Sequence, residues 1–123
     1  MAVQESRDTR TFIAGEDLSS SQFKFVTLES DGQIDLADSA GENCMGVVVN
    51  DPTSGSEATV VVGGKTVVTA GGTIAAGASV ATDASGDAVT ASTGNIVMGY
   101  ALEAGVDGQV IAIEVIQGGN AAA

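Results

Sequence analysis

The chain has 123 residues, with sixteen Asp and Glu against four Lys and Arg, for a formal net charge of −12 and no histidine. That balance excludes a broad cationic face for a phosphate backbone, so nucleic acid is a poor partner, and it removes the commonest general base and metal ligand. Seventeen Gly against three Phe, one Tyr and no Trp leave little core mass, so contact with a second copy or a large partner is expected to add burial.

In chain order, residues 1–11 are polar, mixed in charge and without a period, which predicts a flexible N-terminal arm. The arm holds both arginines, Arg7 and Arg10, and no apolar run behind its charges, so it does not read as a signal peptide. Phe12-Ile13-Ala14 is the first apolar cluster, followed by a turn at Gly15-Glu16-Asp17. Gln22 to Leu28 alternates as a half-buried strand, with Phe23, Phe25 and Thr27 on one parity, and turns at Ser30-Asp31-Gly32 into a short return strand, Gln33 to Leu36. Ala37 to Asn43 is a loop and Met45 to Asn50 a strand, stopped by Asp51-Pro52. Glu57 to Val62 and Lys65 to Thr69 read as two strands, with a turn at Gly63-Gly64.

Between Ala70 and Val80, the glycines at 71, 72 and 77 argue against a helix, since each costs about 1 kcal/mol relative to alanine. Asp83 to Asp87 is a turn, Ala88 to Thr90 a strand, Ile96 to Glu103 a strand bulged near Gly99, and Val110 to Ile116 the closing strand. The pattern predicts an all-β fold: a small Gly-rich β-barrel or β-sandwich of short antiparallel strands over residues 12–118, with a frayed tail at 119–123. No apolar stretch is long enough to cross a membrane as a helix.

A weak internal echo runs through this order. Gly32 and Gly86 are 54 residues apart and Gly46 and Gly99 are 53 apart, each pair marking a hairpin, a loop, a Gly-led strand and a longer strand. Duplication and the repetitive grammar of small β proteins both account for it.

Candidate chemistry is sparse. Cys44 is the only cysteine, lies near Glu42 and reads as a small buried thiol rather than an activated nucleophile. Asp83, Ser85 and Asp87 around Gly86, and Asp31 with Asp35, lack the spacing and closing Glu of an EF-hand loop. Gly63-Gly64-Lys65-Thr66 fails the phosphate-loop pattern, having Thr59 at the first glycine position. The reading is a protein that is not an enzyme and has no cofactor or metal.

The runs Gly71-Gly72-Thr73-Ile74-Ala75-Ala76-Gly77, Val80 to Val89, Ile96-Val97-Met98-Gly99-Tyr100-Ala101-Leu102 and Gly108 to Glu114 together resemble the capsid decoration, or cement, proteins of tailed bacteriophages. The likeness extends over most of the chain, less distinctly at Phe23 to Val49, and the loop Asp51 to Glu57 departs from it. It implies a non-enzymatic virion protein on the outer surface of the phage head, in the host cytoplasm before assembly, that stabilises contacts between major capsid protein subunits. It also implies a homo-oligomer, commonly a trimer at three-fold positions. On that basis the arm Ala2 to Thr11 is expected to order on the capsid by strand addition, with Arg7, Arg10, Thr11 and Phe12 as the capsid-binding residues. The competing class is a head-fibre, tail or other surface β module for adhesion or glycan binding, for which Tyr100 and three Phe give little stacking surface.

Overall fold

The structure, a computed structural model, describes residues 7–116. It is all-β, with no helix among the described residues. Nine strands follow in order: β1 (Arg7–Ile13), β2 (Lys24–Leu28), β3 (Ile34–Leu36), β4 (Gly46–Val48), β5 (Glu57–Thr69), β6 (Ser79–Thr82), β7 (Ala88–Thr90), β8 (Gly99–Ala101) and β9 (Val110–Val115). They form one curled antiparallel sheet in the order β3-β2-β4-β5-β9-β8-β6-β7, with β1 also paired to β5.

That order is the same unit written twice. In the first repeat β2 pairs with β3 and β4, and β4 with β5; in the second β6 pairs with β7 and β8, and β8 with β9. The connections repeat as well. Gly55 donates its N–H to Ala14 O at 2.8 Å, as Gly108 does to Ala70 O; Leu18 donates to Pro52 O at 2.9 Å, as Ile74 does to Gly105 O. Phe23 donates to Val48 O at 2.7 Å, as Gly77 does to Ala101 O. Each half curls until its ends meet in a parallel bridge, Ala14 with Ile34 and Ala70 with Ala88. The 54- and 53-residue spacings thus mark two copies of one structural unit, residues 7–62 and 63–115.

The core follows the same duplication. Inside the first repeat Ala14, Leu18, Val26, Ile34, Val48, Ala58, Val60 and Val62 form one buried cluster. Their counterparts Ala70, Ile74, Val80, Ala88, Ala101, Ile111, Ile113 and Val115 are all buried in the second. This larger cluster also takes in Phe25, Ala37, Cys44, Val47 and Val61 from the opposite face of the first repeat. Small side chains fill each unit, and the one fully buried Phe, Phe25, is spent on the joint between them. Backbone hydrogen bonds from Phe25 N to Gly86 O and from Gly41 N to Thr82 O, at 2.7 and 2.8 Å, cross the same joint. Lys24 closes it with an ion pair to Asp87 at 2.9 Å, its side chain about three-quarters buried.

Three expectations change. Residues 7–11 do not belong to an arm: they are the first five positions of β1, paired along β5 from Arg7 opposite Gly64 to Ile13 opposite Glu57. They show no hydrophobic period because nearly every side chain of β1 is exposed, and backbone pairing rather than burial holds the strand. Gly63-Gly64 is not a turn, since β5 runs through it for 13 residues, with a shift in the β1 register at Asp8/Thr9 as the only irregularity. Its first half completes the first repeat and its second half opens the second. Phe23 does not continue the alternation of β2; it takes a left-handed conformation at φ 64°, where the second repeat has Gly77 at 85°. A side chain there costs about 1–2 kcal/mol. The expected tail at 119–123 and positions 1–6 lie outside the described residues.

Candidate functional site

The four residues expected to bind a capsid all fall on β1 or at its start. Arg7, Arg10 and Thr11 are exposed, whereas Phe12 is half-buried and packs on the cluster inside the first repeat. Among the described residues β1 pairs with β5 alone, so its other edge carries unpaired backbone groups, a ready template for an added strand. Arg10 donates to the Asp8 carboxylate at 2.6 Å, and both side chains are more than half exposed. Such a pair is worth at most about 1 kcal/mol and leaves the guanidinium able to exchange partners. Arg7 lies elsewhere in character. It lines a cavity of about 350 Å³ with Phe23, Val49, Lys65, Thr66 and Val67.

A second surface lies across β8 and β9. Tyr100, Leu102 and Val110 are 44%, 48% and 47% exposed. Alternation puts Tyr100 and Leu102 on one face of β8 and its extension, and Val110, Ala112 and Glu114 on the matching face of β9, with Tyr100 directly opposite Glu114. In the first repeat the positions equivalent to Ser79, Tyr100 and Glu114 are Phe25, Val47 and Val61, and all three are fully buried under the second repeat. The outer face of the second repeat is therefore the same structural surface left uncovered among the described residues. Only comparison of the two repeats identifies it, because singly exposed apolar residues are ordinary.

Catalytic groups are not assembled among the described residues. Burial, reinforced by the charge of Glu42, pushes the Cys44 thiol up to about 12, so it stays protonated and inert at neutral pH. The Asp83 carboxylate accepts the N–H groups of Ser85 and Asp87 at 2.8 and 2.9 Å, which spends it on the β6–β7 turn. No group of three or more His, Cys, Asp or Glu side chains suited to a metal occurs among the described residues. No helix there is long and apolar enough to cross a membrane.

The comparisons with known proteins agree with this picture. No curated protein matches the chain. Among solved structures, the N base of the head fiber gp8.5 of bacteriophage phi29 is similar in fold, with a TM-score of 0.69 and 22% identity, over 90% of this chain and 95% of that one. The sequence model for phage cement proteins matches residues 3–117, which includes both repeats and every described strand. A duplicated, catalytically empty β fold with an uncovered strand edge is thus set within a known group of virion components, and the chain belongs to the phage cement protein family.

Proposed function

We propose that this structural virion protein binds the outside of a phage head and stabilises contacts between major capsid protein subunits. The observation that carries the proposal is β1: a strand near the chain start with an unpaired outer edge and exposed Arg7, Arg10 and Thr11. Main-chain pairing along that edge supplies affinity, and the two arginines supply selection for an acidic segment. The protein assembles as a homotrimer through the apolar face that includes Tyr100 and Leu102, whose counterparts in the first repeat, Val47 and Val49, already pack in the joint between the repeats. Before assembly it resides in the host cytoplasm.

The test is co-sedimentation of undecorated heads with the protein and with the Arg7→Glu/Arg10→Glu variant, at low and physiological salt. Reversal should weaken binding more at low salt, because screening cuts electrostatic reach to about 8 Å at physiological ionic strength. Equal affinity at both salts would remove β1 from the contact. Sedimentation equilibrium of wild type and Tyr100→Asp tests the trimer, and a wild-type monomer on and off the head would count against it.

A second reading, the base of a head fibre, is favoured by the likeness to the phi29 fiber base. Cryo-electron microscopy of decorated heads separates the two. Density that bridges neighbouring capsid subunits supports the clamp, and density that holds a projecting fibre without bridging supports the base.

A further inference from the structure

The duplication is a built-in control for the surface. Of the six large apolar side chains exposed among the described residues, four, Tyr100, Leu102, Val106 and Val110, belong to β8, β9 and the loop between them. Their equivalents in the first repeat, 53 residues earlier, are Val47, Val49, Thr53 and Glu57. Hydrogen bonds fix the correspondence. Ser56 donates its N–H to Thr53 O at 3.0 Å, as Gln109 does to Val106 O. Thr59 donates to the Asn50 side-chain oxygen at 2.9 Å, as Ala112 does to the Glu103 carboxylate.

Val47 and Val49 pack in the joint between the repeats, but Thr53 and Glu57 face water. The same backbone thus stands in solvent with a hydroxyl and a carboxylate, and the fold does not require valine at 106 and 110. Singly exposed valines are ordinary; here two replace polar groups side by side with other exposed apolar residues. The loop that displays them is held in place. Gly105 and Ile74 exchange N–H to carbonyl bonds at 2.9 Å, and Gly108 donates to Ala70 O at 2.8 Å. Val106 N–H is accepted by the Gln109 side chain at 3.1 Å. A surface fixed in this way loses little conformational freedom on binding.

Carboxylates flank the valines: Glu103 and Asp107 are exposed on the same loop, and no Lys or Arg follows Lys65 in the chain. β1, with Arg7 and Arg10, has the opposite character. Arg10 is opposite Val60 and Val110 opposite Thr69, so the two places are separated by about 30 Å along β5. We propose that the β8–β9 loop, with Val106 and Val110 at its centre, is a second capsid contact that docks on an apolar recess edged by Lys or Arg side chains. This rests on the head-binding reading above. A clamp needs two contacts, and the edge of β1 supplies one. The acidic rim selects a basic surround, whereas β1 selects an acidic segment, so the two contacts fall on chemically different surfaces of neighbouring subunits.

The test gives the second repeat the residues that the first carries. Val106→Thr/Val110→Glu should leave the melting curve and the sedimentation equilibrium unchanged, and should weaken co-sedimentation with undecorated heads by about tenfold or more. Asp107→Lys, which alters an exposed side chain alone, should weaken it by about threefold or more, with a smaller loss at high salt. Combined with Arg7→Glu/Arg10→Glu, the fold-losses should multiply, as they do for separate contacts. Wild-type affinity in either loop variant would overturn the proposal and leave the head-binding reading standing. A combined loss no larger than that of one surface alone would place both in a single contact, and a changed oligomer with full head affinity would assign the loop to a second copy; each refutes it. A wild-type protein that does not bind heads would refute the head-binding reading itself, and the capsid as occupant with it.

Discussion

Alanine at Gly99 would place a Cβ against the carbonyl oxygen of Glu114, and alanine at Gly46 would place one against that of Val61. Both obstacles are backbone atoms fixed in a ladder, β8–β9 in one repeat and β4–β5 in the other, so neither can rotate aside. Overpacking costs about 1–3 kcal/mol, and separating the strands weakens at least one ladder hydrogen bond worth about 1 kcal/mol. Each substitution should therefore destabilise by about 2–4 kcal/mol. At about 4 °C per kcal/mol for a domain of this length, that is a fall in Tm of about 8–16 °C. Gly72→Ala is the control: its Cβ meets nothing within 4 Å and its φ lies outside the left-handed region. It should be neutral, or stabilising by up to about 1 kcal/mol, through a less flexible unfolded chain. Urea denaturation followed by circular dichroism gives the three values and checks that the slope m is unchanged. If Gly46→Ala and Gly99→Ala unfold within about 0.5 kcal/mol of Gly72→Ala, steric contact at these two positions does not hold the repeats as described.

Phe25→Ala should cost about 3–5 kcal/mol, because it empties the joint between the repeats rather than a peripheral site, and the same urea titration reads it. Lys24→Met leaves the Asp87 carboxylate mostly buried without its cation and should cost about 1–2 kcal/mol, between the values for exposed and buried pairs. Cys44 titrates near 9 when unfolded but near 12 when folded, so its contribution is complete below pH 9 and is lost as pH rises from 9 towards 12. Cys44→Ser should flatten that alkaline decline in a pH series of melting curves, and the native thiol should resist alkylation at pH 8.

Fold class was legible because the short β-branched runs and the turns built on Gly, Asp and Ser all specify extended chain and tight reversal. The wrong boundaries came from places where backbone pairing, not side-chain burial, decides. β1 is invisible to hydrophobic periodicity since its side chains face water, yet Ala14-Gly15 and Ala70-Gly71 occupy matching positions in the two repeats. Extending the echo upstream to that pair aligns β1 with the second half of β5 and reveals it as structure. Gly63-Gly64 reads as a turn by composition, but β1 on one side and β9 on the other hold the chain extended through it. Of the candidate binding residues, Arg7, Arg10, Thr11 and Phe12 share one strand as their adjacency requires. The meeting of Arg7 with Phe23 and Lys65 depends on the path of β5, which no local pattern encodes.

The division of β5 between two units also has a consequence for synthesis. During translation the first repeat is complete once Val62 has emerged, with its inner cluster able to close on itself. Its other face then presents Phe25, Cys44, Val47 and Val61 to water, and these stay bare until the next 53 residues arrive to cover them. The ribosome-bound half is thus an adhesive species, with apolar surface exposed for the several seconds that synthesis of the second half takes at about 5–20 residues per second. Chains truncated near Gly63 should accumulate as aggregates rather than as soluble half-domains.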